Sequence, residues 1–309
     1  MKRHPVIWGI FLLLILLIGF FSLIYGVTSI TGMRDGFTTA DKIGIAPIDG
    51  VIKDSTDVVK NLQEFGKDDS VKGVVLRINS PGGGVAPSQE IYEAVMELRK
   101  KKRVLVSMSS VAASGGYLIA CAGEKIIANP GTLTGSVSAI MYFTNAEELM
   151  KKVGVKASTI KSGKYKDIGS PIREMTGEEK ALLQGLVDDI YIQFLDVVVR
   201  NRRISEEALK QIADGRIFTG KQAQQLGLVD YLGDMEYAVR MLAKMVGISG
   251  EPVVVYPRKK YESMLDYFFE RAGSTMAHVF FRDQTIPYGI HYLADSYGLR
   301  MLAPAGMEQ

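Results

Sequence analysis

Short apolar runs and stretches of helical spacing alternate along the chain from Lys42 to Ile160. Lys42–Ile48, Gly73–Ile78 (GVVLRI), Arg103–Met108, Lys125–Ala128, Val137–Phe143 and Val155–Ile160 read as strands. Between them, Ser55–Phe65 reads as a helix capped by Ser55, and Pro87–Lys101 as an amphipathic helix opening on a proline. Ser114–Cys121 and Ala146–Lys152 are shorter helices. Strands alternating with helices predict an α/β domain with a largely parallel sheet. From Thr176 onward the period turns helical, over Thr176–Arg200, Ser205–Ala213, Gly220–Leu226 and Met235–Val246. Thr176 and Glu179, in the stretch TGEE, have the spacing of a capping box.

The chain's N-terminal end breaks this rhythm. Val6–Val27 (VIWGIFLLLILLIGFFSLIYGV) carries no charge, and at about 1.5 Å per residue it is long enough for about 30 Å of hydrocarbon. It lacks an Ala-x-Ala cleavage site, so it reads as an uncleaved anchor and not as a removed signal. Lys2 and Arg3 precede it, while Arg34 behind it is offset by Asp35. The positive-inside rule then predicts a cytoplasmic N-terminus and an extracytoplasmic main domain. The expected organisation is a cytoplasmic flank over 1–5, a transmembrane helix over 6–28, a linker over 29–41, a catalytic domain over 42–250 and a C-terminal extension over 251–309. In that extension Leu265, Phe268, Phe269, Ala272, Met276, Val279 and Phe280 recur at helical spacing, as a core or subunit contact would require.

Composition narrows the function. A net charge of +3 over 309 residues, with no basic stripe, gives no footprint for nucleic acid. The single cysteine, Cys121, rules out an internal disulfide and a cysteine-based zinc cluster, and its apolar neighbours predict a buried, inert thiol.

Two strand-to-helix junctions carry glycine clusters. In INSPGGGV, three consecutive glycines can expose backbone N–H groups, as an oxyanion or phosphate site requires. The Gly-Lys-Ser/Thr ending of a phosphate loop is absent, which favours the oxyanion. In VAASGGYLIA, Ser114 stands at the start of a helix after a buried strand, with Gly115 able to present its N–H to the same oxyanion. The plainer reading of Ser114 is a helix cap. His4, His278 and His291 all lie away from the α/β core, so a Ser-His-Asp triad is poorly supported. A lysine can act as base if its pKa is brought down from about 10.4. The glycine-rich loop TIKSGKYKDIGSP offers Lys161, Lys164 and Lys166, and residue chemistry alone does not choose among them.

NSPGGG, AASGGYLIA, TLTGSVS, KSGKYKDIGSP with REMTGEE, and ADGRIFTGKQAQQLGLVD occur in one order over roughly residues 42–247. In that order and spacing they resemble the signal peptide peptidase A family, membrane-anchored bacterial serine proteases that use a serine-lysine dyad. The resemblance implies a Clp-protease/crotonase-like layered spiral of strand-helix units. It assigns Ser114 as nucleophile, Lys166 as general base, Ser136 as the residue orienting or relaying protons for that lysine, and Gly83 and Gly115 as oxyanion donors. The choice among Gly82, Gly83 and Gly84 stays open. It further implies no cofactor or metal, peptide substrates in the form of spent signal peptides in the membrane, and a homo-oligomeric ring. The single copy of the motifs marks a short form, in which serine and lysine come from adjacent subunits and the helical run after Thr176 supplies much of the contact. The tail could extend the ring, lie on the membrane, or occupy the site as inhibitor or product. Competing readings are a related protease acting on stomatin-like partners, a crotonase-like thioester enzyme, and a non-catalytic membrane scaffold of the same fold.

Overall fold

Strands long enough to bury both faces dominate the architecture, seen here in a computed structural model that describes residues 11–22, 41–257 and the backbone of 291–293. The chain divides into two compact units, residues 1–41 and 42–309. In the first, residues 11–22 are helical with exposed apolar side chains. Among the described residues no helix is long and apolar enough to cross a membrane. The helical stretch 11–22 would span about 18 Å, short of the roughly 30 Å of a bilayer core. The rest of the apolar run lies outside the described residues, as does the apolar stripe of 265–280.

The second unit is built on β1 (Lys42–Asp49), β2 (Val71–Ser80), β4 (Arg103–Ala113), β5 (Lys125–Ala128), β6 (Leu133–Gly135), β7 (Ile217–Thr219), β8 (Tyr231–Leu232) and β9 (Val253–Val255). These form one sheet with the path β7-β6-β4-β2-β1-β9, and β5 and β8 branch from β4. Every pairing is parallel except β6 with β7. A separate small strand, β3 (Gly82–Gly84), pairs antiparallel with β10 (His291–Leu293).

Period-two alternation divides the long strands between two cores. Ile43, Ile45, Val75, Leu105 and Ile127 face one side, packed under Ala238, Val239, Leu242 and Ala243 of helix α8 (Met235–Met245). Ile48, Val74, Leu76, Ile78, Val104, Val106 and Met108 face the other. That side is covered by α1 (Thr56–Lys67), α2 (Val85–Arg99), α3 (Gly115–Ala120) and the second half of α5 (Gly177–Asn201). Coverage of both faces explains why GVVLRI reads as a continuous apolar run. The smaller helices are α4 (Glu147–Lys152), α6 (Glu206–Lys210) and α7 (Gly220–Gln225).

Each predicted helix over 55–246 is present, within a few residues of its expected ends, and the capping box of Thr176 and Glu179 forms. Ser55 makes no capping bond; its hydroxyl instead donates to Glu90 on α2. Two predicted strands are absent. Residues 137–143 hold only an isolated bridge position at Ile140, because the sheet edge beside β4 is taken by Leu133–Gly135. Residues 155–160 are irregular and exposed, with Ile160 100% exposed. An alternating segment becomes a strand only where a partner edge offers its hydrogen bonds, and none pairs with it among the described residues.

Candidate active site

Strand β4 delivers Ser114 to the site. Its last residues pair with β2 on one side, Ser80 against Ala112, and with β6 on the other, Ala113 against Gly135. The chain then turns sharply into α3. Ser114 has φ 55° and ψ −120°, outside the regions an L-residue favours. It shares a positive φ with one other non-glycine among the described residues, Ser136 at φ 52°. Such strain persists only where surrounding structure enforces it, and it clusters at functional sites. Here the enforcement is visible: Ser114 N–H donates to Gly135 O at 2.8 Å, and Leu118 N–H donates to Ser114 O at 2.9 Å.

This geometry removes the capping reading of Ser114, whose side chain makes no capping bond. The side chain is 1% exposed, and its Oγ has no hydrogen-bond partner. An unsatisfied buried hydroxyl costs about 1–3 kcal/mol, which is hard to explain as architecture and easy to explain as a nucleophile. The motif's second glycine, Gly116, allows the close approach. A side chain there would begin 3.0 Å from Ser80 O.

Ser136 lies one residue past the Gly135 that accepts from Ser114. Its backbone is fixed by Ser136 N–H to Arg216 O at 2.8 Å, and it is 5% exposed. Sheet register therefore brings Ser114 and Ser136, 22 positions apart in sequence, to neighbouring strand ends.

The glycines of β3 differ in what their backbone groups do. Ile52 N–H donates to Gly82 O at 2.9 Å and Gly84 N–H donates to Ile52 O at 2.8 Å. Gly82 N–H donates to Ser80 Oγ at 3.1 Å. Strand alternation sends the polar groups of Gly83 the opposite way, towards Tyr292 of β10, its register partner. Gly83 can be nothing larger, since a Cβ there would lie 2.1 Å from Ile52 O. Gly115 is the first residue of α3, where N–H groups have no intrahelical acceptor. Neither N–H thus donates within its own strand or helix. The strand β10 marks where an extended peptide fits against β3, in the manner of strand addition.

The lysine loop is not at this site. Lys166 is exposed, and among the described residues its side chain forms no hydrogen bond or ion pair. Ser114 Oγ has no hydrogen-bond partner among the described residues, so Lys166 does not bond to it in this chain. The other two candidates are engaged: Lys161 pairs with Asp167, and Lys164 pairs with Glu178, whose carboxylate pushes the Lys164 ammonium above its ordinary range. Lys161 and Lys164 are thus engaged by carboxylates, whereas among the described residues Lys166 is not. Of the histidines, His4 and His278 lie outside the described residues, and His291 is described only as backbone of β10. Cys121 is fully buried beside Tyr117, and burial pushes its thiol up to about 12, which makes it inert at neutral pH. Sequence reasoning missed the β10 strand and the ion cluster of Asp167, Arg173 and Glu179, although REMTGEE carried both of its distal members.

A strained, buried serine at a strand-to-helix elbow, near a glycine strand that pairs with an extended segment, is the arrangement of a serine peptidase. The profile of Peptidase family S49 matches residues 96–249 and that of Clp protease matches residues 47–134. A Synechocystis sp. protein named provisionally as a protease is 43% identical over 218 residues, covering 70% of this chain and 78% of that one. A Methanocaldococcus jannaschii protein with the same provisional name is 41% identical over 204 residues, 66% of each chain. An Enterococcus faecium protein named provisionally as signal peptide peptidase SppA is 38% identical over 196 residues, 63% of this chain and 57% of its own. The chain belongs to peptidase family S49.

Proposed function

We propose that the protein is a membrane-anchored serine endopeptidase that degrades signal peptides left in the membrane, by a Ser114–Lys166 dyad completed between subunits of a homo-oligomeric ring. The observation that carries this reading is the buried, unpartnered Ser114 Oγ beside Ser136, together with an exposed, unpaired Lys166. A base lysine must be stripped of water to act near neutral pH. Docking the Lys166 loop of one subunit over Ser114 of the next would desolvate the ammonium and satisfy the orphan hydroxyl in one step.

The chemistry follows from the placement. Neutral Lys166 Nζ takes the Ser114 Oγ proton as Oγ attacks the scissile carbonyl carbon. The carbonyl oxygen becomes an oxyanion received by the N–H groups of Gly83 and Gly115, and Ser136 orients the lysine. As the C–N bond breaks, the Lys166 ammonium returns the proton to the leaving amine. Lys166 then deprotonates a water that releases the acyl group.

Exposed apolar surface supports assembly. Tyr142, Phe143, Leu149, Val153, Val155 and Ile160 are exposed between the sheet and the lysine loop, and Leu182, Leu186 and Ile192 are exposed along α5. Contiguous apolar surface of this kind marks an interface. The apolar run 6–28, with its flanking charges, supports the anchor and an N-terminus on the cytoplasmic side. It would hold the catalytic unit outside the cytoplasm, beside its substrates.

The test is mixing. Ser114→Ala and Lys166→Ala should each be inactive on an apolar signal peptide, and mixed subunits should regain activity. Retained activity in Lys166→Ala would reject the base, and loss in both without recovery on mixing would reject sharing across subunits.

A further inference from the structure

Among the described residues the Lys166 side chain has no partner, but the backbone from which it projects is held. Three tight turns surround it: Lys166 N–H donates to Gly163 O at 3.1 Å, Ile168 N–H to Tyr165 O at 3.1 Å, and Ser170 N–H to Asp167 O at 3.0 Å. The next residue, Asp167, is held from two sides. Lys161 pairs with its Oδ1. Arg173 grips both oxygens, Nε to Oδ2 at 2.9 Å and Nη2 to Oδ1 at 2.9 Å, and adds Nη2 to Asp167 O at 3.3 Å.

The same guanidinium has a second carboxylate. Arg173 Nη1 donates to Glu179 Oε2 at 2.8 Å and Nη2 to Glu179 Oε1 at 2.5 Å. Glu179 is the capping-box residue of α5; its Oε2 accepts Thr176 N–H at 2.9 Å, and its own N–H donates to Thr176 Oγ1 at 3.2 Å. The far half of α5 is seated in the core through Phe194, Leu195 and Val198. One planar fork thus couples the residue after Lys166 to a helix fixed in the sheet's core.

We propose that Arg173 is the positioning residue of the general base: by clamping Asp167 to Glu179 it fixes the direction in which Lys166 is presented to Ser114. This rests on the dyad reading above. The Asp167 and Glu179 side chains are 13% and 5% exposed but Arg173 is 29% exposed, and ion pairs reached by solvent contribute little to folding. A bidentate fork on two carboxylates instead restricts orientation, which a point-charge ammonium cannot reproduce.

The experiment compares Arg173→Met, Arg173→Lys, Lys166→Ala and the double variant Lys166→Ala/Arg173→Met in the full-length protein. The probe is a quenched fluorescent peptide bearing a signal-peptide apolar core; melting temperature and assembled mass are recorded alongside. A misplaced base should lower kcat by about a hundredfold. KM should stay near wild type, the rise of kcat with pH should move, and Arg173→Lys should recover only part of the loss. The double variant should be no slower than Lys166→Ala alone, because Arg173 acts through Lys166. A further loss in the double variant, an effect on KM alone, full activity in Arg173→Met, or failure of both Arg173 variants to assemble would each overturn the proposal. Wild-type activity in Lys166→Ala would instead overturn the dyad itself, which keeps the two failures apart.

Discussion

Ser114 stands at the end of a strand locked on both sides in an eight-stranded sheet, whereas Lys166 stands in an exposed loop held by carboxylates. The first is positioned by sheet register, backbone hydrogen bonds and burial; the second by charge pairs and a helix cap. The nucleophile half is complete in one chain and carries its strain there, at φ 55° with an unsatisfied hydroxyl. The Lys166 side chain, the base in the proposed dyad, has no partner among the described residues. On the proposed dyad reading, such a division would leave the protease inactive until its subunits assemble.

The largest effect is expected at Ser114. Ser114→Ala should lower peptidase activity by about four orders of magnitude or more. It should also raise stability by about 1 kcal/mol, because a buried hydroxyl without a partner is removed. Parallel denaturant titrations of variant and wild type would check this, and a destabilised variant would show that the hydroxyl has a structural role.

A smaller effect on turnover is expected at the oxyanion strand. Gly83→Ala introduces a Cβ where Ile52 O lies 2.1 Å away. Moving that backbone should cost about 1–3 kcal/mol and about a hundredfold in kcat through the displaced N–H. Gly82→Ala would be strained at its own φ of 106°. Comparing kcat for the two, each corrected for folded fraction, identifies the donor.

The smallest effect separates the two halves by pH. Glu179 is lowered from 4.5 to about 2, first by its bonds to Arg173 and then by Thr176 N–H. Arg173 and Lys161 likewise hold Asp167 well below the usual carboxylate range. Because these pKa values are depressed, the unfolded chain binds more protons than the folded one. Their contribution is therefore full above about pH 4.5 and lost as pH falls towards about 2. Glu179→Gln lacks it throughout, so the difference in melting temperature between Glu179→Gln and wild type should close over that window. A constant difference would mean the charge of Glu179 contributes nothing. The sheet region around Ser114 has no such carboxylate cluster and should show no matching step.

Much of the fold was readable from local pattern. The strand-helix alternation, the helices over 55–246 and the capping box of Thr176 and Glu179 all follow from periodicity and cap chemistry, which act within a few residues. The glycine clusters at Gly82–Gly84 and Gly115–Gly116 pointed to the site because only glycine permits such close backbone approach. Strands as short as β3, β7 and β8 left no periodic trace, since two or three residues cannot display a period. Val137–Phe143 and Val155–Ile160 had the pattern of strands but no edge to pair with, and propensity does not supply a partner.

The residues themselves determined an α/β domain, two backbone-exposing turns and a loop with three lysines. Tertiary structure decided that Ser114 and Ser136 lie at neighbouring strand ends, because sheet register joins positions far apart in sequence. It also decided that Gly82 O and Gly84 N–H bond to Ile52 while the N–H and C=O of Gly83 do not, and that Lys161 and Lys164 are paired while among the described residues Lys166 is not. Periodicity and propensity are short-range properties, whereas strain, burial and partner choice are set by what the rest of the chain places nearby.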